Sequence, residues 1–289
     1  MKTLVTGGSG KAGAYVVREL AAAGYEVTNL DQRRLEGLPG QFIKVDLTNS
    51  GEVYDAFAQV RPDFVCHVAA NPSPSGDPRQ TVFANNTLST YHVLQAAGDL
   101  GVKRFVYASS EMATGWLTTD QLPPKLPFDE SDRATTPNAY ALSKFLGEVI
   151  CDSLSVRYPQ MPIVSLRINN VITPETYSWL ADRRASYPHG GSGNFWSYID
   201  VRDVATAFRA ALEADTLGHE VFLIAAADTC LETPLHNALQ DHYGNDSLRL
   251  LAEGHGEFQS VFDCRKAERL LGWKAAHSWR DEPTPVGAG

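Results

Sequence analysis

The sequence predicts an α/β protein built on a doubly wound parallel sheet, with a small discontinuous C-terminal substrate lobe. Three observations carry that reading. Short apolar runs alternate with amphipathic stretches of helical length through roughly the first 170 residues. The runs are apolar throughout, as strands covered on both faces are. Glycines at 7, 8, 10 and 13 follow the first run and open the first helical stretch.

The strands expected in order are Lys2–Thr6, Glu26–Leu30, Phe42–Val45, Phe64–Val68, Phe105–Ser109 and Ile163–Ile168. The helices expected between them include Ala12–Ala23, Gly51–Gln59, Val82–Ala97 and Pro137–Arg157. After about residue 170 the pattern loosens. Residues 1–170 are therefore read as a nucleotide-binding domain to which 194–224 return, with 171–193 and 225–289 forming the lobe. Two polar loops, Asn71–Pro78 and the stretch from Thr118, follow strand ends, the edge where open α/β sheets hold ligands.

Composition sets bounds on function. The 289 residues suffice for one large domain with an appendage. A net charge of −9 disfavours nucleic acid and anionic membrane surfaces as partners. The four cysteines (Cys66, Cys151, Cys230, Cys264) form no CxxC pair, so neither a metal site nor a disulfide framework is expected. No apolar leader or membrane-length run is present, and a cytoplasmic location is the expectation.

The glycine cluster reads G-x-x-G-x-x-G across Gly7, Gly10 and Gly13, with Lys11 and Ala12 between the last two. Glycine admits positive φ and lacks the Cβ that blocks a close ligand. The helix that follows offers free N–H groups and a partial positive charge to a pyrophosphate. This is a Rossmann-type dinucleotide loop, with a ligand-free tight turn as its alternative. Asp31, after the second strand, is placed to accept bonds from a ribose and to repel a 2′-phosphate, favouring NAD; Arg33, Arg34 and Lys11 keep NADP open. Asp46 and Leu47 follow the third strand, where Asp46 meets an adenine edge or caps the next helix.

Tyr140-x-x-x-Lys144 places a phenol and an ammonium on one helix face. A nearby cation favours phenolate and is expected to lower the tyrosine pKa, fitting Tyr140 for proton transfer. Upstream, the run "FVYASSEMATG" ends a strand in Ala108, Ser109 and Ser110, placing a serine for the same substrate oxygen.

Together these motifs resemble the extended short-chain dehydrogenase/reductase superfamily, the NAD-dependent epimerase/dehydratase group. The likeness adds "HVAA" at 67–70, "NNTLSTYHVLQAA" at 85–97, "LRINNVITP" at 166–174, "YIDVRDVATA" at 198–207 and "DCRKAERLLGW" at 263–273. It implies that Ser110, five residues before Gly115, is the catalytic serine, Tyr140 the general acid/base, and Lys144 the residue that lowers the tyrosine pKa and holds the nicotinamide ribose. It makes Ala69 and Ala70 cleft lining, Asn86 a brace or plain packing, and Asn170 part of the segment passing the nicotinamide. His67 is read as a core histidine.

Three departures bear on substrate. Thr114 replaces the usual tyrosine before Gly115, the segment from Pro174 to Trp196 is short, and "SGNFW" carries no arginine for a diphosphate. These look more like uronate-dehydrogenase-type sugar oxidoreductases. Candidate substrate contacts are Ser73, Ser75, Ser110, Glu111, Met112, Asn170, Trp179 and Trp196; the tryptophans are equally readable as lobe core.

The leading expectation is an NAD(P)-dependent oxidoreductase acting on a hydroxyl or carbonyl of a sugar, uronate or similar polyhydroxylated molecule. A nucleotide-sugar epimerase or dehydratase with tightly held NAD is the alternative, and a non-catalytic NAD(P)-binding regulator the third. By resemblance a homodimer pairs the helices over Val82–Ala97 and Pro137–Arg157.

Overall fold

The computed structural model describes residues 1–72, 76–116, 122–136, 138–180 and 194–281. Strands β1 (Lys2–Thr6), β2 (Glu26–Asp31), β3 (Gln41–Lys44), β4 (Phe64–His67), β5 (Arg104–Ser110) and β6 (Ile163–Ile168) alternate with helices α1 (Lys11–Ala22), α2 (Ser50–Val60), α3 (Arg79–Asp99) and α4 (Ala139–Arg157). After β6 come a two-strand ribbon, β7 (Val171–Ile172) with β8 (Ile199–Asp200), then α5 (Val201–Glu213) and β9 (His219–Ile224). Two further helices, α6 (Leu235–Tyr243) and α7 (Arg265–Leu271), follow.

The main sheet runs β3-β2-β1-β4-β5-β6-β9, every pairing parallel. Strand order reverses between β1 and β4, so their carboxyl ends splay apart and open a crevice there. Alternation along each strand sorts residues to the two faces. Val5, Cys66, Val106, Val164 and Phe222 meet α1, α5 and α7 on one side. Leu4, Val65, Phe105 and Ile163 meet α2, α3 and α4 on the other.

The sequence reading named neither α5 nor β9. The signal for α5 was present: Val201, Val204, Ala205, Phe208, Ala211 and Leu212 recur at helical spacing and are buried, and Asp200 caps the helix by accepting from Arg202 N–H at 2.7 Å.

A second core joins Ile172, Leu180, Phe195, Trp196, Tyr198, Cys230, Leu235, Leu239 and Phe262. It also takes Leu126 and Phe128, from a stretch the sequence reading left inside the larger domain. Phe128 packs edge-on against Phe262, ring centroids 4.7 Å apart. Backbone bridges tie Leu126 to Leu251 and Phe128 to Phe262. This core sits beyond the carboxyl edge of the sheet, following β6 and β9 in the chain.

Candidate active site

The glycine loop is shaped by near-contact. Gly7 sits at φ +70°, and a Cβ there would fall 2.6 Å from the Ala69 backbone. A Cβ on Gly13 would fall 2.0 Å from the Gly7 carbonyl oxygen. Gly10 N–H donates to Gly7 O and Gly10 caps α1 without a side chain, leaving the first-turn N–H groups of Lys11, Ala12 and Gly13 facing outward from the helix end. Asp31 accepts from Ser9 N–H at 3.0 Å and from Arg33 N–H at 3.3 Å, which holds its carboxylate beside the loop.

These residues line a cleft of ≈ 850 Å³. Of the residues the sequence assigned to a cofactor, Gly7, Gly10, Lys11, Ala12, Gly13, Asp31, Arg33, Leu47, Ala69, Ala70, Ala108, Ser109, Tyr140, Lys144 and Asn170 all line it. The set fits a dinucleotide: a cradle that any Cβ would fill, a helix N-terminus for phosphate, and an acid at the end of β2.

Several residues sit otherwise than expected. Asp46 is outside the lining; its carboxylate accepts from Thr48 N–H (2.9 Å) and Thr48 Oγ1 (2.7 Å), and Val45 and Leu47 form the wall instead. It does not cap α2, because Asn49 does. Lys11 Nζ donates to Val171 O at 2.6 Å, so the ammonium is drawn toward β7 rather than toward Asp31. Asn86 is 2% exposed and braces the loop after β4: it accepts from Asn71 N–H at 2.7 Å and donates to Asn71 O and Ser143 Oγ. It acts on the cleft through Asn71, which lines it.

The catalytic candidates converge from β5 and α4. Asn138 Oδ1 accepts from Tyr140 N–H at 2.8 Å and Ala141 N–H at 3.2 Å, so the helix begins beside Tyr140 rather than at 137. Ser110 ends β5 and caps the turn Glu111–Thr114, accepting from Met112 N–H at 3.2 Å. Ser110 and Tyr140 both line the cleft, and the Ser110 hydroxyl favours the Tyr140 phenolate. Lys144 is 3% exposed; its Nζ donates to Ala108 O at 2.7 Å, 5.9 Å from the Tyr140 ring centroid.

Burial sets the protonation states. It pushes the Tyr140 phenol up to about 12, with the Ser110 hydroxyl opposing and the Glu111 charge adding to the rise. Burial also pulls Lys144 down to about 7, with Glu148 opposing. In the free chain desolvation therefore dominates at Tyr140 and holds the phenol protonated. His67, fully buried against Thr6 and Thr90, is pulled down to about 3 by burial and then by Lys144; it is a neutral core histidine.

The substrate candidates divide. Ser110, Glu111, Met112 and Asn170 line the cleft. Ser73 and Ser75 lie outside the described residues. Trp179 is 54% exposed with Lys11 Nζ 5.4 Å above its ring, outside the lining. Trp196 is fully buried in the second core, edge-on to His242; packing claims it, as its alternative reading held. The sequence reading missed Asn169, which lines the cleft and is 2% exposed. Its position in "RINN" gave no cue beyond adjacency to Asn170.

A family model described as "NAD dependent epimerase/dehydratase family" matches residues 3–225. UDP-glucose 4-epimerase of Mycoplasma pneumoniae is 26% identical over 96% of this chain and 93% of its own. UDP-glucose 4-epimerase 2 of Oryza sativa subsp. japonica is 28% identical over 94% of this chain and 77% of its own. Among solved structures, the Thermus thermophilus UDP-glucose 4-epimerase in complex with NAD superposes with a TM-score of 0.71 at 25% identity, covering 96% of this chain and 95% of that one.

Proposed function

Because the chain belongs to the NAD dependent epimerase/dehydratase family, we propose that it uses NAD to transfer hydride at a hydroxyl-bearing carbon of a sugar, with Tyr140 as the proton-transfer residue. One observation carries the reading: Ser110, Tyr140 and Lys144 converge on the wall of the glycine-loop cleft, with Lys144 buried one helical turn beyond Tyr140.

The glycine loop and Asp31 hold the dinucleotide, and Lys144 holds its nicotinamide end. NAD, when bound, supplies the acceptor for the hydride. Tyr140 Oη takes the sugar hydroxyl proton, and Ser110 Oγ orients the same oxygen. Lys144, held by Ala108 O, stabilises the phenolate as the proton arrives and departs. Sugar binding excludes water from the Ser110–Tyr140 pair, which strengthens every charge interaction there.

A nucleotide-sugar epimerase is the second reading, favoured by relatives of that name that align over nearly their whole length. It shares the first proton transfer and returns hydride to the opposite face. Absorbance of reduced nicotinamide, measured with free sugars, uronates and UDP-sugars, separates the two. Net reduction that vanishes in Tyr140→Phe supports the oxidoreductase. A UDP-sugar that changes configuration by NMR without net reduction supports the epimerase. Neither signal with any sugar would overturn both.

A further inference from the structure

Asn169 carries an inference that deepens the proposed function and rests on it. The side chain is 2% exposed. Two donors fix its amide group: Asn170 N–H reaches Asn169 Oδ1 at 2.6 Å, and Asn194 Nδ2 reaches the same oxygen at 3.2 Å. A backbone N–H can only donate, so the oxygen edge of the carboxamide is settled and the NH₂ edge lies opposite. Among the described residues, Asn169 Nδ2 has no hydrogen-bond partner. A buried donor left without an acceptor is costly, and such groups mark places where a ligand completes the bonding.

Position says which ligand. Ile168 pairs with Ser110 across β5 and β6, so Asn169 is the residue just past the register partner of the candidate catalytic serine. Asp31 lies at the end of β2, four strands away along the sheet edge, which places the adenosine end of the cleft far from Asn169. Ser110, Glu111 and Tyr140 share the lining with it.

We propose that Asn169 is a substrate-contact residue whose Nδ2 donates to a hydroxyl or carbonyl oxygen of the sugar held at Ser110 and Tyr140. A donor on a pinned carboxamide selects for an oxygen at one place on the substrate and against an analogue lacking it.

Asn169→Asp tests this. It keeps an oxygen for Asn170 N–H and Asn194 and turns the opposite edge from donor to acceptor, and because it also buries a carboxylate, circular dichroism checks that the variant is folded. Asn169→Leu removes both edges as a second variant. NADH affinity is read by fluorescence, and binding of D-glucose, D-galactose, D-galacturonate and UDP-glucose to the NADH-loaded protein by calorimetry at pH 8. The expected result is a loss of about tenfold or more in affinity for the sugar the wild type binds best, with NADH affinity unchanged. A parallel loss of NADH affinity assigns the donor to the cofactor and overturns the proposal. So does unchanged sugar affinity in both variants, or a wild type that binds none of the four. Sugar bound by the wild type, lost in the variant and never turned over would instead sink the hydride-transfer reading while the contact stands.

Discussion

Arg167 and Glu148 meet in a buried, two-point ion pair: Arg167 Nε to Glu148 Oε1 and Nη2 to Oε2, both at 2.9 Å, with each side chain 3% exposed. Ser109 Oγ donates to the same carboxylate at 2.5 Å, and Arg167 Nη1 donates to Glu130 O at 2.9 Å. The pair therefore fastens α4, which carries Tyr140 and Lys144, to β5, which carries Ser110, and to β6. Removing one partner leaves the other charge buried alone. Glu148→Gln is expected to lower unfolding free energy by about 3–5 kcal/mol, whereas a double change of both residues to methionine recovers much of that loss. Urea unfolding of the three proteins checks it; equal stability of the single and double variants would count against the pair's role.

The opposite protonation shifts of Lys144 and Tyr140 leave a signature in stability against pH. Lys144 titrates near about 7 in the folded chain, below its unfolded value of 10.5. The unfolded state therefore binds more protons between those limits, and stability rises with pH through the window. Tyr140, raised to about 12 from 10.0, works the other way: its contribution is complete below 10 and is lost as pH climbs toward 12. Comparing urea midpoints at pH 7 and pH 9, Lys144→Met is expected to show a smaller rise than the wild type. An identical rise would mean that Lys144 is not the group responsible.

At the glycine loop, the 2.0 Å approach to Gly7 O leaves no room at position 13. The atom in the way is backbone, so Gly13→Ala must displace the loop, at a strain of about 1–3 kcal/mol. NADH binding is expected to weaken by tenfold or more, measured by fluorescence titration with circular dichroism to confirm folding. Retained affinity would show that the loop does not cradle the dinucleotide.

Asp31 is expected to set cofactor choice. Its carboxylate stands beside Ser9 and Arg33, and Arg33 and Arg34 line the same end of the cleft. Asp31→Ser removes the repulsion of a 2′-phosphate and leaves the two guanidinium groups to meet it, which is expected to shift the NADP/NAD affinity ratio upward by about tenfold. A ratio that does not move would place the discrimination elsewhere.

Much of this was legible in the residues. The apolar runs located β1 to β6 to within a residue or two, and the glycine spacing marked the turn between β1 and α1 because only a chain lacking Cβ atoms packs that closely. Tyr140 and Lys144 share a helix face by periodicity alone. Asp46 was ambiguous because an aspartate after a strand serves a turn as readily as a ligand, and Thr48, two residues on, captured it. Trp196 was ambiguous because a large aromatic suits either a core or a binding wall, and local sequence does not say which surface it meets.

By itself, then, the sequence determined a parallel α/β sheet, a dinucleotide loop at the end of β1 and a Ser-Tyr-Lys set, since these depend on short spacings that the backbone converts directly into geometry. Tertiary structure alone decided the rest. It put Asn169 one residue past the β6 register partner of Ser110, drew Lys11 toward Val171, joined Leu126 and Phe128 to the second core, and desolvated the half-buried Tyr140 and the buried Lys144 enough to move both pKa values. Each of these joins residues distant in the chain, or turns on the solvent that packing excludes, and neither contact across the fold nor desolvation is written in the spacing of neighbouring residues.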